Sequence, residues 1–332
     1  MVKLVRQHPK ESILVIVFIV LFVFMAILSP GGFLTSGNMS SMASQIPEFG
    51  ILALAMMIVI LKGGINLSIT YVASLSGIVM ALIMNSMNKN GADPGTTIAI
   101  SLVAGLATAI VCGILNGWLV AYMRVSPILA TLGTSMLFEG IGMNVTEGRA
   151  ISGLPEAFNN FGSANLFGIP VSLFIFLIIA VLAWFLFERT PWGVRVHMIG
   201  NNPVAMEYSG VNVQKQLLQV YIISALFGFF SAVVMTARYN SMKVDYGSSY
   251  MLQSVLAVVL GGGSMAGGYG TVFGTALAVF TLQVVSSGLN IFGLNRFFTD
   301  IIMGALLILV LAFNFIFSEA QAKRRSKNTA KA

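Results

Sequence analysis

Charged side chains are scarce in this sequence. They make up 9% of its 332 residues, against about 25% in a typical soluble domain. So few charges cannot cover a water-exposed surface of this size, which excludes an ordinary soluble protein. Apolar residues make up 57% of the chain, and its mean hydropathy is +0.90. We therefore expect lipid to cover much of the surface.

Cysteine and histidine are also rare. The single cysteine, Cys112, and the two histidines cannot build an internal disulfide or a metal cluster. No glycine is followed by lysine, so a phosphate-binding loop of the G-x-x-x-x-G-K-[ST] type is absent. The stretch 261–266 fits a loose dinucleotide pattern, but it lacks any strand–helix–strand context. We predict no catalytic residue, no metal and no cofactor on this chain.

The long apolar runs predict about ten membrane-spanning helices, because one span needs about 20 apolar residues. Most of the 18 Lys and Arg residues fall at the two ends and in alternate connections, which places both termini in the cytoplasm. Topology thus explains the net charge of +7 without a nucleic-acid partner. The predicted fold class is an all-α polytopic transmembrane bundle. Its predicted spans are 12–29, 46–62, 69–86, 97–123, 127–145, 170–188, 215–236, 250–265, 269–289 and 296–317.

The chain is predicted to contain a single membrane domain. No small-residue cleavage site follows the first apolar run, so we interpret that run as a retained span. We divide the chain into a cytoplasmic segment 1–11, a transmembrane domain 12–317 and a basic cytoplasmic tail 318–332. The tail could touch anionic lipid, although a simple topology anchor is the preferred interpretation.

A polar break separates two apolar runs at 62–68. Asn66 and Ser68 bring polar side chains to membrane depth, where unwound backbone is tolerated only if protein buries it or a water-filled cavity borders it. Breaks of this kind often border solute paths. An ordinary turn between two spans fits the residues equally well.

A second interruption, 260–270, is rich in glycine, and its glycines permit close backbone approach and bending. Close helix packing, also expected at Gly113 and Gly117, explains most of these glycines. A hinge or subunit seam is the alternative interpretation. The predicted hinge residues of both interruptions are Gly63, Gly64, Gly261, Gly262, Gly263, Gly267 and Gly268.

The longest predicted cytoplasmic connection is 189–214. Asn202 followed by Pro203 is typical of a helix start and Gly210 of a helix end, so the pattern predicts a short helix over 204–209. Such a helix along the inner membrane face is a natural docking element for a cytoplasmic partner. His197 is interpreted as a contact residue rather than a catalyst. The predicted docking residues are Gly193, Arg195, His197, Gly200, Asn202, Pro203, Val204, Ala205, Met206, Glu207 and Gly210.

Neutral polar residues recur within the predicted spans. Such groups are costly in lipid and usually face the bundle interior or a cavity. Amides and hydroxyls both donate and accept hydrogen bonds, which suits hydroxyl-rich solutes. Thr131 and Thr134 are ambiguous, since threonine often bonds its own helix carbonyls. The predicted substrate-pathway residues are Asn66, Ser68, Asn116, Thr131, Thr134, Gln253 and Gln283.

The chain resembles the ribose-type permease family of ATP-binding-cassette importers over about 46–317. The resemblance lies in GGINLSITY (63–71), LNGWLVA (115–121), ATLGT (130–134), ISGLP (151–155), and the stretches 193–213 and 257–270. These motifs are quite specific together and weak singly. Where the family has Asp in GGIDLS this chain has Asn66, and 250–256 lacks the two acids usual there. Similar changes occur in members that pair with a different permease, which slightly favours a heterodimer.

The resemblance implies the membrane-spanning permease subunit of an importer in the bacterial inner membrane. Its expected partners are cytoplasmic ATPase subunits, a second permease subunit (the same or a paralogous chain) and an extracytoplasmic solute-binding protein. ATP and Mg²⁺ would bind the partner ATPase. The docking residues would couple to that ATPase, with the short helix inserted in a groove of it.

Three functions compete for these features. The leading hypothesis is a non-catalytic permease for a sugar or sugar-like solute. The second is a self-sufficient ion-coupled secondary transporter that uses Glu139 or Asp300, although Glu139 could equally pair with an arginine on the outer side. The third, a membrane enzyme acting on lipids, is disfavoured because no acids, His or Lys cluster near an interface.

Overall fold

A computed structural model describes residues 9–295 and 297–312, and helices dominate that part of the chain. The helices are α1 (Pro9–Leu28), α2 (Pro30–Phe33), α3 (Ser36–Leu61), α4 (Ile69–Lys89), α5 (Pro94–Ala121), α6 (Pro127–Thr146), α7 (Glu156–Ser163), α8 (Val171–Trp184) with a π-helical turn (Phe185–Arg189), α9 (Pro191–Asn201), α10 (Pro203–Tyr208), α11 (Val213–Tyr239), α12 (Tyr250–Leu260), α13 (Val272–Ile291) and α14 (Phe297–Ala312). The strands, of two residues each, are β1 (Ile151–Ser152), β2 (Asn165–Leu166), β3 (Ile169–Pro170) and β4 (Ser241–Met242).

Eight of the described helices are long and apolar enough to cross a membrane, so the chain is a multi-pass membrane protein. They are α1, α3, α4, α5, α6, α8 with its π-helical turn, α11 and α13. Every predicted span coincides with a helix, but α12 and α14 are shorter than a full span. The tail 318–332 and the last part of the predicted span 296–317 lie outside the described residues.

Helix α3 forms the centre of the bundle. In its most apolar stretch 89% of the residues are buried, compared with 11% in α1 and 28% in α5. Every residue from 51 to 60 is apolar and has no exposed surface. A helix that is apolar on all sides is buried by protein or lipid, and here the other helices surround it.

Glycines allow α5 and α11 to pack backbone to backbone. A Cβ on Gly113 would lie 2.9 Å from Ile222 Cα, and one on Gly117 would lie 3.0 Å from Leu218 Cα. No larger residue fits at these positions without moving α11 away. The close packing expected at these two glycines is therefore confirmed.

The helices alternate in direction, which gives the bundle two ends. At one end, called here the junction end, the connections 62–68, 190–212 and 261–271 meet, and the Gly268 amide donates to the Leu61 carbonyl at 2.7 Å. At the opposite end β1 pairs antiparallel with β4, and β2 pairs with β3. The Asn85 side chain on α4 also donates to the Ser152 carbonyl at that end.

Candidate functional site

The predicted break at 62–68 is a non-helical connection between α3 and α4. Asn66 organises it, because its Oδ1 accepts hydrogen bonds from the Ser68 hydroxyl at 2.8 Å and from the Ser68 amide at 3.2 Å. Its Nδ2 donates to Ser224 Oγ of α11 at 3.2 Å. The side chains of Asn66 and Ser68 are thus hydrogen-bonded within the protein, as membrane depth requires.

Hydrogen bonds tie the break to α5 and α6. Asn116 of α5 donates from Nδ2 to Ser68 Oγ at 2.8 Å, and its Oδ1 accepts from Thr134 Oγ1 of α6 at 2.6 Å. One turn earlier on α6, Thr131 Oγ1 accepts from the Leu67 amide at 3.1 Å. The break therefore holds three helices, α5, α6 and α11, through side-chain contacts.

Five predicted pathway residues thus form one group, which we call the sealed network. Each is at most 5% exposed, so in this conformation the network is closed to solvent and holds helices together. Contact with a passing solute stays a prediction for them. The sealed network consists of Asn66, Ser68, Asn116, Thr131 and Thr134.

The other two predicted pathway residues, Gln253 of α12 and Gln283 of α13, line a cavity of about 420 Å³. Gln283 Nε2 also donates to Gln45 Oε1 of α3 at 3.1 Å. Along α11, Ser224 beside the sealed network and Tyr239 on the cavity wall are separated by about 22 Å of helix. The predicted pathway residues therefore occupy two separate places.

The short helix predicted in the loop 189–214 is present as α10. Asn202 is its N-cap, with Oδ1 accepting from the Ala205 amide at 3.0 Å. Gly210 follows the helix with a φ of +79°, which is typical of a glycine after a helix end. The loop also contains a second helix, α9, which the sequence pattern did not predict.

One side chain anchors α10, and much of the helix faces outward. Met206 is 9% exposed and packs with Ile199 and Val213. Val204 is 58% exposed and Tyr208 is 90% exposed. Exposed large apolar side chains on a short capped helix are typical of a surface that another protein covers.

The predicted docking residues fall into two groups. Gly193, His197, Gly200 and Met206 are buried or half-buried and hold the loop in place. The others are exposed on the surface of the loop: Arg195, Asn202, Pro203, Val204, Ala205, Glu207 and Gly210.

Helix α9 packs against both glycine-rich interruptions at the junction end. A Cβ on Gly200 would lie 1.9 Å from the Leu61 carbonyl oxygen and 2.5 Å from the Gly268 amide nitrogen. A Cβ on Gly267 would lie 2.8 Å from the Gly63 amide nitrogen. We call this contact the glycine junction: Gly63, Gly200, Gly267 and Gly268.

The other predicted hinge glycines are also closely packed. A Cβ on Gly261 would lie 2.5 Å from the Gly274 carbonyl carbon, which brings the end of α12 against α13. A Cβ on Gly263 would lie 2.6 Å from Val258 Cγ1, and one on Gly64 would lie 3.2 Å from Pro127 Cβ. Gly262 has a φ of +94°. Packing is thus visible at these glycines, and hinge motion stays a prediction.

Sequence reasoning missed a buried acid, Glu48, which has no exposed surface. Its Oε1 accepts from Arg238 Nη1 at 2.6 Å, and its Oε2 accepts from the Tyr239 and Tyr250 hydroxyls, each at 3.0 Å. A lone acid in an apolar span is a signal that could have singled it out. Its partners lie 190 to 202 positions away in the chain, so the sequence could not identify them.

The two acids of the ion-coupled hypothesis lie in different surroundings. Glu139 is half-buried on α6 and interacts with the Tyr71 side chain of α4. Asp300 of α14 lines the cavity. The described residues include no group of three or more His, Cys, Asp or Glu side chains that could hold a metal ion.

Comparison with known proteins matches the chain to a family described as branched-chain amino acid transport system / permease component, over residues 38–311. The ribose import permease protein RbsC of Bacillus subtilis is 32% identical over 294 residues, which cover 88% of this chain and 88% of that protein. The autoinducer 2 import system permease protein LsrD of Yersinia enterocolitica is 33% identical over 268 residues, which cover 79% of this chain and 78% of that protein. No solved structure was found to match the chain.

Proposed function

Since the chain belongs to this family of transport-system permease components, we propose that it is the membrane-spanning subunit of an ATP-driven importer. It forms the translocation path for a sugar or sugar-like small solute. The names of its relatives support the solute class, because they describe import of ribose and of autoinducer 2.

The observation that carries the proposal is the docking helix α10. This six-residue helix is capped at both ends, and its Tyr208 side chain is 90% exposed. An exposed aromatic side chain on a short, fixed helix is a surface that another chain can cover. The sequence has no phosphate-binding loop of its own, so ATP and Mg²⁺ bind the partner ATPase. Through the glycine junction, a movement of α9 and α10 would reach the end of α3 and the connection 261–271 directly.

The rest of the assembly follows from the same proposal. The chain lies in the bacterial inner membrane with about ten membrane-embedded helices and both termini in the cytoplasm, so that the junction end faces the ATPase. A second permease subunit and an extracytoplasmic solute-binding protein complete the importer. The chain itself performs no chemical step.

Energy dependence tests the proposal. Cells that take up labelled ribose through this chain are treated with a proton uncoupler while their ATP level is maintained. We expect uptake to continue, because ATP hydrolysis drives it. If uptake stops, the ion-coupled alternative, in which Asp300 or Glu139 carries the ion, replaces the proposal.

Replacing 203–209 by a flexible Gly-Ser stretch tests the docking role. We expect insertion into the membrane to be unchanged and ATP hydrolysis to be uncoupled from uptake. The control is the same replacement at 165–170, the β2–β3 hairpin at the opposite end, which should leave coupling intact. Coupled uptake in the 203–209 variant would show that α10 is not the docking element.

A further inference from the structure

The cavity of about 420 Å³ lies beside the middle of the central helix α3. Phe49 on its wall is 12 residues from the end of α3, about 18 Å along the helix from the junction end. The short helix α12 starts at the same place with Tyr250, so the chain before it is non-helical at this depth. Broken helices near the membrane midplane border solute sites in many transporters, and the volume lies within the roughly 300–1,000 Å³ of small-molecule sites.

The wall of the cavity is rich in amides and aromatic rings. Its four amides come from three helices: Gln45 from α3, Gln253 from α12, and Gln283 and Asn290 from α13. Amides both donate and accept, so they can bond hydroxyl groups in either direction. Among the described residues that line the cavity, Asp300 is the only charged one.

Two tyrosine rings of the wall are fixed from behind. The hydroxyls of Tyr239 and Tyr250 both donate to Glu48 Oε2 at 3.0 Å, and Arg238 pairs with the other carboxylate oxygen at 2.6 Å. Glu48 has no exposed surface and is not itself on the wall. A carboxylate held by one cation and two hydroxyls fixes both rings, and fixed rings offer flat apolar faces to the C–H side of a solute.

We propose that this cavity is a binding site for an uncharged, polyhydroxylated solute, and that Glu48 is a positioning residue for the two tyrosines of its wall. The amides bond the hydroxyls of the solute, and the rings cover its apolar face. The site rests on the proposed function, because it would be a solute-binding site on the translocation path of that importer.

Uptake by the complete importer in cells tests the site. Labelled ribose and galactose serve as probes without charged groups. Leucine, a zwitterion, and ribose 5-phosphate, an anion, serve as probes that carry charged groups, called charged probes below. We expect the uncharged probes alone to be taken up, and Gln253→Leu and Gln283→Leu each to lower the maximal rate about tenfold. The matched control is Thr281→Val on α13, whose hydroxyl donates to the Leu277 carbonyl of its own helix, and it should transport normally. Uptake of a charged probe, or wild-type rates in both glutamine variants, would overturn the proposal.

The positioning role of Glu48 has its own test. Tyr250→Phe keeps the ring and removes its hydrogen bond to Glu48, so it should change the ratio of ribose to galactose uptake in the same direction as Glu48→Gln. The double variant should change that ratio no further than Glu48→Gln does, because both changes release the same contact. A residue that only supports folding would lower the amount of protein and leave the ratio unchanged, and that result would remove Glu48 from the site.

The two proposals fail in distinguishable ways. If uptake depends on ATP and neither glutamine variant affects it, the importer proposal stands and the cavity is not the site. If uptake is insensitive to ATP depletion, the importer proposal itself fails, whatever the variants do.

Discussion

The sealed network and the cavity wall are built from the same kinds of residue, yet the structure uses them differently. Asn116 in the network has both ends of its amide bonded to side chains and is 1% exposed. Gln253 on the cavity wall is half-exposed and faces open space. The same polar signal in the sequence therefore marks a structural tie in one place and a candidate solute contact in the other.

The difference depends on where along the bundle the residues lie. Near the junction end, the segments meet backbone to backbone through Gly200, Gly267 and Gly268, which leaves no room between them. Around the middle of α3 the short α12 leaves the space that becomes the cavity. Changes near the junction end should therefore affect stability and coupling, and changes on the cavity wall should affect solute selection.

Gly200→Ala should have the largest effect. The added Cβ would lie 1.9 Å from the Leu61 carbonyl oxygen, so α9 must move away from the end of α3. Overpacking of this kind costs about 1–3 kcal/mol, and here it also separates the docking loop from α3. We expect ATP hydrolysis to continue in the assembled importer while uptake is lost.

The matched control is Gly37→Ala in the first turn of α3, where a Cβ would meet no atom of the described residues within 4 Å. It should transport at the wild-type rate. Normal uptake in the Gly200 variant would mean that the glycine junction does not carry coupling.

Asn116→Leu should destabilise the fold. It leaves the buried hydroxyls of Ser68 and Thr134 without their amide partner. We expect a loss of about 2 kcal/mol in unfolding free energy, measured as a lower unfolding midpoint of the purified protein in detergent. A midpoint equal to that of the wild type would show that the network does not hold these helices together.

Tyr208→Ala should weaken coupling without affecting stability. The side chain is 90% exposed, so its loss should change unfolding free energy by no more than about 0.5 kcal/mol. We expect less ATPase to co-purify with the variant and slower uptake. Phe167→Ala, at a site 92% exposed at the opposite end, is the matched control and should capture ATPase normally. Equal capture by both variants would contradict docking through α10.

Gln253→Leu should have the smallest effect on stability. The side chain is half-buried on the cavity wall, and removing it leaves no buried partner of the kind Asn116 has. We expect an unfolding midpoint within error of the wild type together with reduced uptake. A residue that only holds helices together, as we expect of Asn116, would instead lower the midpoint. Destabilisation as large as that of Asn116→Leu would show that Gln253 on the cavity wall has the same structural role as the residues of the sealed network.

Local sequence signals predicted the long helices and the short helix α10 well. Apolar runs located every long helix, and Asn202, Pro203 and Gly210 were enough to predict α10, because capping acts within one turn. Helix α9 was not predicted, and it contains two glycines, Gly193 and Gly200, which are poor helix formers. Those glycines serve packing instead: a Cβ on Gly193 would lie 2.1 Å from the Phe187 carbonyl oxygen.

Long-range contacts could not be predicted from one sequence. The difference between Asn116 and Gln253 depends on which helices lie opposite them. The residues that neighbour each of them in the sequence do not show which helices those are. Glu48 was missed for the same reason, since Arg238 is 190 positions away. The glycine junction also joins segments that the sequence could only describe separately.

The most direct test of the central claim, that this chain is the passive membrane part of an ATP-driven importer, is reconstitution in liposomes. The chain is purified with and without its co-purifying ATPase and supplied with the solute-binding protein, labelled ribose, and either ATP or a proton gradient. The account predicts ribose accumulation only when ATPase and ATP are both present. Accumulation by this chain alone under a proton gradient would contradict it.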